Sequence, residues 1–135
     1  MPKESPVIVQ FDADENYLTV ADLICFNIGL DIAANASTID AAKKIITRIE
    51  NKELKPDIAI ISSVIQNSFN EGEKLAKKLR EVVPGIKIIA YTEIDDEKFG
   101  DELAIKSGTN TEVTLISALN KLTKKNFKAS NVISS

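Results

Sequence analysis

The chain has 135 residues, with 17 basic and 20 acidic side chains and a formal net charge of −3. This length fits one compact domain, expected over residues 1–124, followed by a flexible polar tail over residues 125–135. The acidic balance argues against a nucleic-acid partner, and the lack of a long apolar run argues against a membrane span. With no histidine, a single cysteine (Cys25) and no signal-peptide pattern, the sequence excludes a zinc set and favours a cytoplasmic protein.

Strand-like and helix-like patterns alternate along the chain, which predicts an α/β fold with a doubly wound parallel sheet between two helix layers. The predicted strands span residues 7–11, 31–34, 58–61 and 86–91. The predicted helices span residues 15–28, 39–49, 70–82, 95–107 and 111–122. Gly29 is expected to end the first helix in a left-handed conformation, and Ser37 is expected to begin the second as its cap.

Polar residues follow three of the predicted strands at the point where each strand ends. Asp12, Ala13 and Asp14 follow the first strand, Ser62 and Ser63 follow the third, and Thr92 follows the fourth. Because the carboxyl ends of parallel strands meet at one edge of a sheet, these residues are expected to surround one crevice, where open α/β folds hold their ligands. The pattern is that of a phosphate and metal site whose central carboxylate is missing.

These stretches resemble the receiver domain of bacterial two-component response regulators over residues 7–122. The matching parts are the strand into Asp12, the Pro56-Asp57 opening of an apolar strand, and the strand that ends in Thr92. The resemblance implies that Asp12 stands at the first acidic position of a Mg²⁺ site and that Ala13 stands where a second acid is common. It also implies that Ser62 occupies the phosphoacceptor position and that Thr92 is the sensor hydroxyl.

The carboxyl-terminal third departs from the receiver pattern. Receivers carry a fifth strand with a lysine that contacts the phosphoryl group, yet here about seven residues are missing before the last helix. We therefore expect a receiver-type sheet of order 2-1-3-4, with the fifth strand absent or vestigial and the lysine without a counterpart. The fourth strand would then be an exposed edge, which favours a homodimer formed through that edge and the last helices.

Some of the candidate site residues have two interpretations. Ser62 and Ser63 are either strand-end hydroxyls bonded to nearby backbone or targets of a regulatory kinase. Asp12 and Asp14 are weak candidates for holding Mg²⁺, and Asp14 is alternatively the N-cap of the first helix. Without an aspartate to phosphorylate, Thr92 is expected to have nothing to sense.

We therefore expect a stand-alone pseudo-receiver that acts in signalling by binding other signalling proteins, without aspartyl phosphorylation, catalysis or a required cofactor. The sequence also fits a flavodoxin-like domain that binds a small ligand in the carboxyl-end crevice. Two further alternatives are a receiver-like domain regulated by serine phosphorylation and a receiver that keeps a cation as a structural element.

Overall fold

A computed structural model describes residues 6–63, 71–93, 98–106 and 109–128. Within these ranges the elements are β1 (Ile8–Phe11), α1 (Glu15–Asn27), β2 (Ile32–Ala36), α2 (Ile39–Glu50), β3 (Ile58–Ile61), α3 (Glu71–Val82), β4 (Lys87–Thr92), β5 (Glu102–Ile105) and α4 (Thr109–Thr123). The predicted α/β class and the first four strands are confirmed. The first residue of the helix predicted over 70–82 and most of the expected tail (129–135) lie outside the described residues.

The five strands form one sheet of order β2-β1-β3-β4-β5, and every neighbouring pair is parallel. β1 and β3 are fully buried, as expected for central strands with a helix layer on each face. α1 and α4 pack on one face, where Cys25 is buried and the pKa of its thiol is raised by burial to about 12. α2 and α3 pack on the other face. None of the helices in the described ranges has the length and apolar character needed to cross a membrane.

The expectation of a four-stranded sheet is wrong. β5 pairs with β4 in parallel from Ile89 opposite Glu102 to Thr92 opposite Ile105. Just before β5, Asp101 accepts a hydrogen bond from the Ile88 backbone N–H at 2.8 Å. The helix expected over 95–107 is also wrong for residues 98–106, which form a bend and then β5, while residues 94–97 lie outside the described part.

The additional strand removes the reason for expecting a homodimer through β4. The backbone edge of β4 is already occupied by β5, so it does not offer unpaired groups to another chain. The new edge strand is partly protected as well, because the Ile105 N–H donates to the hydroxyl of Thr114 in α4 at 2.7 Å. That side chain satisfies a backbone group that a partner strand would otherwise pair with.

Local signals explain the ends of the helices. Asp14 is the N-cap of α1, with its side chain accepting from the Asn16 N–H at 2.9 Å, as the capping interpretation predicts. α1 is followed by Gly29 at φ +87°, the left-handed stop expected there. The cap of α2 is Thr38, which accepts from the Ala41 N–H, so the expectation of Ser37 at this position is wrong by one residue.

Candidate functional site at the carboxyl ends of the strands

Four polar side chains from four strand ends form the candidate site, which we call the carboxyl-end site. Asp12 follows β1, Ser62 follows β3, Thr92 ends β4 and Lys106 follows β5. All four are buried, with Asp12 and Thr92 2% exposed, Ser62 3% and Lys106 8%. The sheet order places β3 and β4 between the strands that carry Asp12 and Lys106. Because parallel strands end on the same side, the fold gathers residues that are far apart in the sequence.

Lys106 is the centre of this site. Its ammonium Nζ lies 2.6 Å from Asp12 Oδ2 and donates a hydrogen bond to Ser62 Oγ at 3.1 Å. The expectation that the receiver lysine has no counterpart is therefore wrong, because Lys106 stands at the end of a fifth strand. The sequence signal was the short apolar run Leu103-Ala104-Ile105 directly before Lys106.

Two tyrosines complete the surroundings of the ammonium. Lys106 Nζ lies 4.7 Å from the ring centroid of Tyr17 and 5.2 Å from that of Tyr91, within the range of a cation–π attraction. The two rings meet edge to face with their centroids 5.8 Å apart. The lysine is thus held by one carboxylate, one hydroxyl and two aromatic rings.

Asp12 uses its second oxygen to fix the start of α1. Asp12 Oδ1 accepts from the Asp14 backbone N–H at 3.0 Å. Burial raises the pKa of Asp12 above its usual 3.8, and the charge and hydrogen bond of Lys106 oppose this rise without cancelling it. The pKa of Tyr91 is raised mainly by burial and then by the negative charge of Asp12.

Ser63 and Thr92 form a second buried pair beside the first. Their hydroxyl oxygens lie 3.1 Å apart, so one donates to the other. Gly72, in the first turn of α3, lies against the Ser62 carbonyl so closely that an added Cβ would collide with that oxygen. The first turn of α3 therefore closes over the end of β3.

Of the five polar residues that the sequence placed around the crevice, the structure brings together Asp12, Ser62, Ser63 and Thr92. Asp14 belongs to a different environment, since its side chain is exposed and caps α1. The residues that sequence reasoning missed are Lys106 and the two tyrosines around it.

The donor set does not fit a magnesium ion. Mg²⁺ prefers several oxygen ligands in near-octahedral geometry, usually with one or two carboxylates. Here Asp12 faces an ammonium group, Asp14 is committed to the helix cap, and Ala13 supplies no oxygen from its side chain. In the described ranges, no group of three or more acidic or cysteine side chains is placed to hold a metal ion.

The serine beside the lysine is also not an activated nucleophile. A lysine activates a serine by accepting its proton, which requires a neutral amine. Lys106 Nζ lies 2.6 Å from Asp12 Oδ2, with which it forms an ion pair. In this arrangement Lys106 donates to Ser62 and lacks a lone pair to take its proton.

The architecture and the site define a receiver fold. Among solved structures, the isolated REC domain of RcsB from Salmonella enterica serovar Typhimurium is similar, with 16% identity, a TM-score of 0.72 and coverage of 97% of each chain. A CheY-like response regulator receiver domain protein from Methanospirillum hungatei JF-1 has 22% identity, a TM-score of 0.66 and coverage of 90% of this chain and 96% of that one.

The signal receiver domain of the putative response regulator NarL from Mycobacterium tuberculosis has 15% identity and a TM-score of 0.68, with coverage of 91% of this chain and 100% of that one. The chain spans only 61% of RcsB in its promoter-bound structure. At these identities the likeness shows the fold alone. No protein-family model and no curated protein matches the chain.

Proposed function

We propose that this protein is a pseudo-receiver, which acts in signalling by binding other proteins and is not phosphorylated on aspartate. The observation that carries the proposal is the contact of Lys106 with both Asp12 and Ser62. Phosphoryl transfer to a receiver requires a carboxylate nucleophile and a divalent cation that neutralises the phosphoryl oxygens. Ser62 is not a carboxylate, and the one buried acid of the site already has a cation beside it.

The tethered ammonium of Lys106 takes over the electrostatic role of a metal ion. A buried carboxylate is costly unless it is paired, and Asp12 obtains its positive partner from the chain itself. Since one negative and one positive charge balance within the site, a further divalent cation would have to be bound against the ammonium. We therefore propose that Asp12 and Asp14 do not hold Mg²⁺ in this protein.

Regulation by a serine kinase has less support. A kinase must reach the hydroxyl, but Ser62 is 3% exposed and Ser63 is 9% exposed. Ser62 accepts from Lys106, and Ser63 shares a hydrogen bond with Thr92. Modification of either serine would first require this end of the sheet to open.

The proposal is tested by adding Mg²⁺ with beryllofluoride, and separately with acetyl phosphate, to isotope-labelled protein. We expect the backbone amide signals of Asp12, Ser62, Thr92 and Lys106 to stay unchanged, and the intact mass to show no phosphoryl group. A set of shifts clustered at these residues, or an acid-labile phosphoryl adduct, would contradict the proposal. The variant with Ser62→Asp and Ala13→Asp serves as the positive comparison, because it adds two carboxylates to the site.

A further inference from the structure

α2 and α3 lie side by side with an open groove between them. The groove encloses a cavity of about 460 Å³ on the outer side of the helix layer. Its apolar lining consists of Ile39, Ala42 and Ile46 from α2 and Leu75 from α3. The three residues of α2 recur at helical spacing, so together with Leu75 they form an apolar floor that runs along α2.

The rim of the groove is positively charged although the protein is acidic overall. The rim contains Lys43, Lys74 and Lys78 together with Glu50 and Glu71. Each glutamate forms an ion pair with a lysine. Lys78 Nζ lies 3.8 Å from Glu50 Oε2, and Lys74 Nζ lies 3.6 Å from Glu71 Oε1. The remaining lysine, Lys43, gives this surface an excess of positive charge.

The opposite face of the sheet carries a helix with complementary features. Among the described residues, the exposed large apolar side chains are Leu23 at 57%, Phe26 at 70% and Val113 at 56%. Leu23 and Phe26 lie three positions apart on α1, which places them on one side of that helix. They form a small apolar ridge next to the carboxyl end of α1.

The end of α1 that carries this ridge is negative. Asp22 directly precedes Leu23, and the last turn of α1 has no basic side chain to balance the partial negative charge at the carboxyl end of the helix. The exposed acid Asp31 follows four residues after the helix ends. An apolar ridge beside negative charge matches an apolar groove bordered by lysines.

We propose that α1 of one copy of this chain docks into the α2–α3 groove of a second copy, with Leu23 and Phe26 on the apolar floor. An amphipathic helix in a hydrophobic groove is a recurring mode of recognition. The ridge and the groove lie on opposite faces of the sheet, so the contact is heterologous and joins copies head to tail. One helix face buries less surface than a stable complex needs, so the association is weak and reversible.

Sedimentation velocity on the full chain, over a concentration series up to about 1 mM, tests the association. We expect the average sedimentation coefficient to rise with concentration. This rise should be smaller in about 1 M salt than in about 0.1 M salt, because the Debye length falls from about 10 Å to 3 Å.

Phe26→Ser and Lys43→Glu should each weaken self-association by about 3- to 10-fold. The matched controls are Val113→Ser, which removes an exposed apolar side chain from α4, and Lys44→Glu, which reverses an exposed charge beside the groove.

Mixing the two variants gives the decisive result. The Lys43→Glu variant keeps an intact ridge, and the Phe26→Ser variant keeps an intact groove. In an equimolar mixture the ridge of the first can dock into the groove of the second, and association should stop at this heterodimer because the other two surfaces are damaged. Each variant alone should remain largely monomeric. A wild-type protein that is monomeric at every concentration, a mixture that associates no better than either variant, or controls that weaken association equally would each overturn the proposal.

Discussion

Asp12 Oδ2 and Lys106 Nζ lie 2.6 Å apart, although the strands that carry them are separated by β3 and β4. Ser62, at the end of β3, accepts a hydrogen bond from the same ammonium at 3.1 Å. A carboxylate at Ser62 would compete with Asp12 for this lysine, whereas a hydroxyl adds an acceptor without adding charge. Serine therefore allows the site to be electrically neutral without a metal ion.

Lys106→Met should strongly destabilise the protein. The substitution keeps most of the side-chain volume but leaves Asp12 buried without its positive partner, and breaking such a pair typically costs about 3–5 kcal/mol. Chemical denaturation followed by circular dichroism measures the free energy of unfolding. Combining Lys106→Met with Asp12→Leu should recover much of the loss, because no uncompensated charge then remains.

Lys121→Met is the matched control for this experiment. Lys121 and Glu102 form an ion pair at 3.6 Å, but the lysine side chain is 64% exposed. Exposed pairs contribute about 0–1 kcal/mol, so this variant should be nearly as stable as the wild type. Equal losses in the two variants would mean that the Lys106–Asp12 pair has no special role.

The titration of Asp12 should make stability depend on pH in a specific direction. Burial raises its pKa above 3.8 in the folded protein, so the folded state binds this proton more tightly than the unfolded state does. The stability that the protonated Asp12 contributes is fully present below pH 3.8. It is lost as the pH rises through the pKa of Asp12 in the folded protein. The stability of the wild type relative to Asp12→Asn should therefore decrease over that interval.

Carbon-13 NMR of the Asp12 carboxyl group measures the same pKa directly. We expect a value above 3.8, and a still higher value in Lys106→Met, because the lysine is the main influence that lowers it. A value at or below 3.8 in the wild type would show that the ion pair outweighs burial.

Most of the fold followed from the sequence because its signals are local. The long apolar runs of β1, β3 and β4 and the helical spacing of α1, α2 and α3 do not depend on distant partners. The preference for Asp14 as a helix cap over a metal ligand agrees with the observed hydrogen bond to Asn16. The roles of Ser62 and Thr92 remain predictions, although both lie where the strand pattern places them.

β5 was missed because its signal is short and ambiguous. Phe99 and Leu103 are four residues apart, which also fits a helix, and a four-residue strand is too brief for its alternation to decide the matter. The strand is stabilised by pairing with β4, which sequence periodicity does not reveal. Just before β5, an added Cβ at Gly100 would lie 2.7 Å from the Ala90 nitrogen, so the close approach of the chain to β4 requires glycine there. Because β5 was not predicted, Lys106 at its end was not recognised as a site residue.

Ser62→Asp alone should not create an efficient phosphorylation site. The new carboxylate would lie beside Lys106 and share its charge with Asp12, while Ala13 still supplies no second acid at the end of β1. Mg²⁺ affinity, measured by calorimetry, should increase from the wild type to Ser62→Asp and again when Ala13→Asp is added. Rapid phosphorylation of the single variant by acetyl phosphate would show that the remaining site is already complete.

Gly72→Ala tests whether the packing of α3 against the end of β3 outweighs the higher helix propensity of alanine. In an exposed helix, alanine is more stable than glycine by about 0.5–1 kcal/mol. At position 72 the added Cβ would collide with the Ser62 carbonyl oxygen, and overpacking of this kind costs about 1–3 kcal/mol. We therefore expect Gly72→Ala to lower the free energy of unfolding and to shift the amide signals of Ser62 and Lys106.

Lys77→Ala, at an exposed position of α3, is the control and should change the free energy of unfolding by less than about 0.5 kcal/mol. If Gly72→Ala is instead more stable than the wild type and leaves the two signals unmoved, α3 does not hold the end of β3 in place.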